Sequence, residues 1–213
     1  MRDWCERQLA EFEPQLSWVR ALRAAIPEDG ILVNELTQVG YFANLAYPVN
    51  SPRTFITPGY QGTLGYGWSA ALGAAVGNPE RPVVSISGDG GFGWNLQELA
   101  TAARHQLRVV AIVFNDSAFG NVKRMQRSQF GRTLGADLTN PDFVKLAGAF
   151  GVDATRVSTP EALVGALREA IAGKRPALIE VPVREMPNPW YLLRSHYTGP
   201  KPPPNPLGEP KRS

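Results

Sequence analysis

Two short polar turns carry the residue types in this sequence that are best suited to chemistry. A GDG turn at 88–90 follows an apolar run at 83–87, and Asn115 and Asp116 follow a second apolar run at 109–114. Uncharged runs of this length predict central strands of a parallel sheet that is covered on both faces. Ligands in such sheets bind beyond the carboxyl ends of the strands. Both turns are therefore predicted to lie at one binding edge.

The first turn also matches a general pattern for diphosphate binding. Residues 88–93 read GDGGFG, which fits GxGxxG between a strand and a helix. Glycines there let the backbone approach a diphosphate. A tight strand–helix turn without a ligand and a nicotinamide or flavin dinucleotide site are the alternatives. Asp89 argues against the dinucleotide, because its carboxylate would face the diphosphate and repel it.

A divalent cation between the protein and the diphosphate removes that objection. Asp89 and Asp116 supply hard oxygen ligands, and phosphate oxygens would complete an octahedron around Mg²⁺. The paired turns therefore predict a diphosphate that is held through a magnesium ion.

The elements that must position these turns alternate along the chain. Further strands are predicted at 31–35, 54–57 and 177–183, with helical patterns between the strands. This alternation predicts an α/β fold with a doubly wound, mostly parallel sheet and helices on both faces. Three regions are expected: an N-terminal helical linker segment at 1–26, one domain at 27–187, and a Pro-rich, disordered or extended tail at 188–213.

Composition restricts the class of protein. The formal net charge of the 213 residues is only +3, which does not indicate a nucleic-acid partner. Cys5 is the one cysteine, so an intrachain disulfide is impossible and a reducing compartment is expected. No apolar run approaches the roughly 20 residues of a membrane span. We expect a cytoplasmic globular protein that binds neither nucleic acid nor membrane.

The two turns and their surroundings resemble a known family. GDGGFGWNLQELATAARHQLRVVAIVFNDSAFGNV is similar to the thiamine diphosphate motif, a GDG turn followed by an Asn-Asn or Asn-Asp pair. The preceding ITPGYQGTLGYGWSAALGAAVGNPERPVVSISGDG resembles the loop and helix before that turn in acetolactate synthase-like enzymes. The resemblance covers roughly residues 31–183. It implies the diphosphate-binding domain of a thiamine diphosphate-dependent enzyme, with thiamine diphosphate and Mg²⁺ as cofactors.

The resemblance also implies residue roles. Asp89 and Asp116 resemble the family's metal ligands, with the Ala118 carbonyl as a third. The position of Asp116 is more often Asn in the family, and the extra charge is expected to tighten Mg²⁺ binding. The implied cofactor contacts are Thr37, Gln38, Gly62, Leu64, Gly88, Gly90, Gly91 and Asn115.

Four of these contacts have a stated part in the family. Gly90 and Gly91 resemble the residues whose amides meet the diphosphate, and the Gly62 carbonyl resembles the contact to the aminopyrimidine. Leu64 stands where a Met usually wedges the cofactor into its bent form. A core leucine is the alternative for Leu64.

The family's activating glutamate lies on a separate pyrimidine-binding domain. This chain has no room for a second α/β domain, so that glutamate is expected on a partner chain or on a missing N-terminal part. Glu35 and Glu98 are candidates by residue type only, and a structural role is favoured for both. We also expect an oligomer, because the family builds its sites between chains.

The implied activity is decarboxylation or carboligation of a 2-oxo acid, by a lyase or transferase that needs a larger assembly. Met125 stands where the family usually has a Trp that orients the acceptor, and Trp94 stands where a Met is common. These departures leave open which 2-oxo acid is used. The alternatives are a non-catalytic thiamine diphosphate-binding module or fragment and, less favoured, a nicotinamide-dependent dehydrogenase.

Overall fold

The computed structural model describes residues 7–189. Its strands are β1 (Ile31–Asn34), β2 (Phe55–Ile56), β3 (Val83–Gly88), β4 (Val109–Asn115), β5 (Asp153–Arg156) and β6 (Ala177–Pro182). Its helices are α1 (Gln15–Ala25), α2 (Gln38–Ala46), α3 (Tyr66–Gly77), α4 (Asp89–Phe92), α5 (Leu99–His105), α6 (Gly120–Phe130), α7 (Phe143–Ala149) and α8 (Pro160–Ala172), with a 3₁₀ turn at Leu96–Glu98.

The strands form one sheet in the order β2-β1-β3-β4-β6-β5. Every neighbouring pair in it is parallel. The predicted α/β class with a doubly wound sheet is therefore confirmed. The sequence prediction did not include β5, because this edge strand is short, polar and largely exposed and so lacks an apolar run.

Alternation along the central strands places a core on each face of the sheet. Ile112 of β4 packs in a cluster with residues of α1, α2 and α8. Val113, its neighbour in β4, packs on the opposite face with residues of α3, α5 and α7. Full burial of one such aliphatic side chain stabilises the fold by about 1.5–3 kcal/mol. Helices therefore cover both faces, as the apolar runs predicted.

The N-terminal region contributes directly to one of these cores. Leu16, Val19 and Leu22 of α1 are buried there together with residues of α2 and α8. The division into linker, domain and tail stays a prediction. All but the first two residues of the tail predicted at 188–213 lie outside the described part of the chain. Within the described part, no helix is both long and apolar enough to cross a membrane.

The strand order creates a crevice between β1 and β3. After β1 the chain moves outward to β2, and it then crosses back to β3 and continues to the other side of the sheet. Such a reversal leaves room for a ligand beyond the carboxyl ends of the two strands. The GDG turn follows β3 at this point, and Asn115 ends the adjacent strand β4.

Candidate functional site

A cavity lies at the carboxyl edge of the sheet, at the reversal between β1 and β3. Nine of the residues predicted to bind cofactor or metal line it: Thr37, Gln38, Leu64, Gly88, Asp89, Gly90, Gly91, Asp116 and Ala118. The other two, Gly62 and Asn115, are not among its lining residues. An added Cβ at Gly62 would lie 2.0 Å from the Leu36 side chain, so Gly62 sits against that residue.

Two carboxylates meet in this cavity. Asp89 is 2% exposed at the start of α4, and Asp116 directly follows β4. Burial and the neighbouring charge of Asp89 raise the pKa of Asp116 to about 6. In the described part of the chain, the ion pairs include none with either carboxylate. The edge therefore holds excess negative charge, which a divalent cation would neutralise.

The oxygen donors suit a hard cation that is coordinated both by the protein and by a phosphate group. Both side chains present carboxylate oxygens, which Mg²⁺ prefers. Among the described residues, no group of three His, Cys, Asp or Glu side chains is placed to enclose a metal ion. A cation here would take its remaining ligands from backbone carbonyls, water or the phosphates of a ligand, as Mg²⁺ commonly does.

Two amide side chains donate hydrogen bonds to the two carboxylates. Asn140 Nδ2 donates to Asp89 Oδ2 at 2.6 Å, and Gln38 Nε2 donates to Asp116 Oδ2 at 2.9 Å. Gln38 Oε1 also accepts from the Met186 backbone N–H at 2.6 Å. The sequence prediction included Gln38 but not Asn140. The sequence around Asn140 indicates only the start of a helix, and nothing in it signals a contact with Asp89.

Gly90 of the GDG turn and the next residue, Gly91, leave no space for side chains. An added Cβ would lie 2.6 Å from the Phe119 ring at Gly90 and 2.0 Å from Glu35 Oε1 at Gly91. Both positions therefore need glycine for close packing. Both also line the cavity, where their backbone is available to a ligand.

Glu35 anchors the loop that carries Leu64. The Glu35 carboxylate is buried at the end of β1 and accepts hydrogen bonds from Gly65 N–H at 2.8 Å and Gly67 N–H at 3.0 Å. It also accepts one from Ser87 Oγ at 2.8 Å. Burial raises the pKa of this carboxyl, and the three hydrogen bonds oppose the rise. Glu35 thus ties the loop to the end of β3, in keeping with the structural role expected for it.

The same loop is fixed from its other side. Asn95 Nδ2 donates to the Gly65 carbonyl at 2.7 Å. Gly65 has φ +82°, a left-handed conformation that favours glycine. Leu64 extends from this pinned loop into the cavity and is 44% exposed, so it is not a core leucine.

The other candidate residues lie in separate surroundings. Glu98 accepts a hydrogen bond from Thr101 at 2.6 Å near the start of α5, away from the cavity lining. Arg124 lines the cavity and donates to the Met186 carbonyl at 3.1 Å. Its guanidinium also lies 3.6 Å from the Glu185 carboxylate.

Apolar side chains are exposed beside the cavity. Leu64 projects from the pinned loop, and Trp94, which is 63% exposed, lies against Gly65 in the same loop. Val122 and Met125 are about half exposed on α6, the helix whose first residues line the cavity. We call these four residues the apolar rim.

Comparison with known proteins places this site in a family context. Residues 36–181 match the family described as "Thiamine pyrophosphate enzyme, C-terminal TPP binding domain". The chain is 39% identical over 140 residues to a probable acetolactate synthase large subunit of Methanocaldococcus jannaschii, covering 63% of this chain and 23% of that protein. It is 36% identical over 166 residues to the acetolactate synthase isozyme 1 large subunit of Escherichia coli K12, covering 76% of this chain and 29% of that protein.

A solved structure agrees with the sequence relatives. The thiamine diphosphate-dependent 4-hydroxybenzoylformate decarboxylase of Rhodococcus jostii RHA1 superposes with a TM-score of 0.74 at 32% identity. That superposition covers 80% of this chain and 32% of the decarboxylase chain. The chain thus spans less than a third of the length of each of these three proteins.

Proposed function

Because this chain belongs to the thiamine pyrophosphate enzymes through their C-terminal TPP-binding domain, we propose that it forms the diphosphate- and magnesium-binding half of an enzyme acting on 2-oxo acids. The pairing of Asp89 and Asp116 in one cavity carries this proposal. A metal-mediated diphosphate site needs those two oxygen donors, and a dinucleotide site is disfavoured by them.

The residues that line the cavity divide into two groups in this proposal. Asp89, Asp116 and the Ala118 carbonyl hold the cation. The backbone amides of Gly90 and Gly91 bind the diphosphate, with Thr37 and Gln38 on its other side. The Gln38 side chain is already fixed between Asp116 and Met186, which supports its assignment to the binding machinery.

Leu64 and Gly62 are proposed to contact the organic part of the cofactor. The Glu35 and Asn95 hydrogen bonds hold Leu64 at the cavity, so its side chain can act as the wedge that keeps the cofactor bent. Asn115 is proposed to contribute through its turn, since its side chain is engaged by Asn140 and Glu180. When bound, thiamine diphosphate would supply a nucleophilic carbon and an electron sink for the 2-oxo acid.

The activating glutamate is proposed to come from a pyrimidine-binding domain elsewhere in the enzyme, on another segment or a partner chain. Glu35 is the third acid that lines the cavity, and its oxygens already accept three hydrogen bonds. The apolar rim supplies a surface on which such a domain would dock, completing the site in an oligomer. We place the assembled enzyme in the cytoplasm, as the single cysteine suggests.

The reaction is proposed to be decarboxylation or carboligation of a 2-oxo acid. The relatives are named as acetolactate synthases, and the structural neighbour is named as a decarboxylase. Met125 and Trp94 stand where the family usually has other residues, so the substrate is proposed only as a 2-oxo acid.

The test is a screen of 2-oxo acids for CO₂ release by the chain purified together with its natural partner. Release that requires both Mg²⁺ and thiamine diphosphate is the expected result. Cofactor binding without CO₂ release from any 2-oxo acid would favour the non-catalytic module instead. If Asp89→Ala spares cofactor binding, the metal-mediated site is wrong and a dinucleotide site is favoured.

A further inference from the structure

A chain of polar contacts, whose two arms are joined only by the backbone between Asn140 and Asp142, runs along the carboxyl edge of the sheet. Asn115 ends β4, Arg156 ends β5, Glu180 lies within β6, and Asp89 directly follows β3. The two remaining members come from the segment that leads into α7. The members, which we call the edge network, are Asp89, Asn115, Glu180, Arg156, Asn140 and Asp142.

The contacts of the edge network are short and continuous. Asn140 Nδ2 donates to Asp89 Oδ2 at 2.6 Å and to Asn115 Oδ1 at 3.0 Å. Asn115 Nδ2 donates to Glu180 Oε1 at 2.8 Å. On the far side of Glu180, Arg156 Nε donates to Oε2 at 2.8 Å.

Asp142 joins the two arms through the backbone. It accepts a hydrogen bond from the Arg156 guanidinium at 3.1 Å. Its carboxylate also caps α7 by accepting from the backbone N–H groups of Val144 and Lys145. Asp142 is two residues from Asn140, so these contacts fix the backbone that presents the Asn140 amide to Asp89.

Glu180 and the Ser117 backbone N–H together fix the orientation of the Asn115 amide, since Ser117 N–H donates to Asn115 Oδ1 at 3.1 Å. The Glu180 carboxylate is buried, 3% exposed, and is compensated by the half-exposed Arg156 guanidinium. An ionised carboxylate only accepts hydrogen bonds, so Asn115 must turn its Nδ2 towards Glu180 and its Oδ1 towards Asn140. Asn140 must then present its Nδ2 to Asn115 and Asp89.

We propose that Asn140 is a positioning residue for the cation, and that the Glu180–Arg156 pair orients it through Asn115. The inference rests on the proposed metal role of Asp89. Asn140 donates to Oδ2 of that carboxylate, and this contact restricts the orientation in which the carboxylate is presented to a cation. Partners of metal ligands that act in this way change metal affinity by about 10- to 100-fold when they are removed.

The experiment measures Mn²⁺ binding to the full 213-residue chain by electron paramagnetic resonance, in the presence of thiamine diphosphate. Asn140→Ala should raise the Mn²⁺ dissociation constant by about 10- to 100-fold. Arg156→Ala should also raise it, although Arg156 is not among the residues that line the cavity. The double variant should lose less affinity than the product of the two single losses, because both act on one network.

Asn78→Ala is the matched control. Asn78 is also an asparagine with side-chain hydrogen bonds, to Ala74 and Arg81, but it lies at the end of α3 away from the edge network. Its substitution should leave the Mn²⁺ dissociation constant unchanged. Arg156→Ala, which alters a half-exposed side chain, carries the test by itself if Asn140→Ala does not fold.

The outcomes separate this inference from the proposed function. Equal Mn²⁺ affinity in wild type, Asn140→Ala and Arg156→Ala would overturn the inference and leave the proposed function standing. Failure of the wild-type chain to bind Mn²⁺, both alone and together with a pyrimidine-domain partner, would overturn the proposed metal site and the inference with it. Losses that multiply fully in the double variant would contradict the orienting role of Arg156.

Discussion

Replacing Glu35 by Gln is the perturbation whose local effect follows most directly from the structure. Glu35 Oε1 accepts from Gly65 N–H, and Oε2 accepts from Gly67 N–H and Ser87 Oγ. Gln has the same shape but only one acceptor oxygen, because its other terminal atom is an NH₂ donor. The hydroxyl of Ser87 can accept as well as donate, whereas the glycine N–H groups can only donate. Either orientation of the Gln amide therefore leaves one glycine N–H without an acceptor.

The size of the effect follows from the energy of one unpaired buried donor. Such a donor costs about 1–3 kcal/mol, which corresponds to roughly a 5- to 150-fold change in an opening equilibrium. Hydrogen exchange of backbone amides measures that opening directly. We therefore expect at least one of the Gly65 and Gly67 amides to exchange roughly 5- to 150-fold faster in Glu35→Gln.

Glu98→Gln is the matched control. Glu98 makes a side-chain hydrogen bond to Thr101 outside the cavity lining, so its substitution should leave exchange at Gly65 and Gly67 unchanged. Unchanged exchange of both glycine amides in Glu35→Gln would show that Glu35 does not anchor this loop. Equal acceleration in the two variants would contradict this anchoring as well, because the effect would then not be specific to the anchored loop.

The pH dependence of stability gives a second test of the burial of the Glu35 carboxyl. Burial raises the pKa of this carboxyl above its ordinary value of 4.5, so the folded chain binds more protons than the unfolded chain between those two values. The contribution of Glu35 to the free energy of unfolding is therefore largest below pH 4.5, and it decreases as the pH rises through the raised pKa. Urea titrations across this range should show the fall in wild type and a smaller one in Glu35→Gln. Identical pH profiles would contradict the assignment.

Three further changes test other parts of the site. The pKa of Asp116 is raised to about 6, and a ligand carboxyl must lose its proton, so Mn²⁺ affinity should fall by up to about tenfold per pH unit below that value. Asp116→Asn should weaken Mn²⁺ binding and remove this pH dependence. An unchanged pH profile in the variant would exclude Asp116 as a ligand. Gly91→Ala places a Cβ 2.0 Å from Glu35 Oε1, so urea titration should show that the free energy of unfolding falls by about 1–3 kcal/mol. Gly148→Ala, where a Cβ has open space, is the control and should show no loss. Equal stability of the two variants would contradict the close packing at Gly91. The Trp94 side chain is 63% exposed, so Trp94→Ser should leave the free energy of unfolding of the chain unchanged. Sedimentation should show weaker association of this variant with the partner domain. Undiminished association would mean that Trp94 is not part of the docking surface.

Local signals in the sequence were sufficient for the centre of the fold. β3 and β4 are buried on both faces, and burial of this kind requires the uncharged runs from which both strands were predicted. The GDG turn was equally predictable, because close packing at Gly90 and Gly91 excludes any side chain. β5 was missed because an exposed edge strand needs no apolar run. The family resemblance is confirmed by the match over residues 36–181.

Local sequence patterns did not predict the contacts that support the site. Asn140 and Asp89 are 51 positions apart in the chain, and their contact depends on the path of the segment before α7. Glu35 was a candidate by residue type only, since its role depends on where the Gly65 loop returns to the end of β1. Such contacts depend on tertiary packing, which the spacing of residues along the chain does not specify.

Calorimetric titration with thiamine diphosphate measures Mg²⁺-dependent cofactor binding by this site directly. The titration is done with and without Mg²⁺, on the chain alone and together with a pyrimidine-domain partner, using wild type and Asp89→Ala. We expect binding to wild type that requires Mg²⁺ and is lost in Asp89→Ala. Absence of Mg²⁺-dependent binding even in the assembled complex, or unchanged binding in Asp89→Ala, would contradict the metal-mediated site.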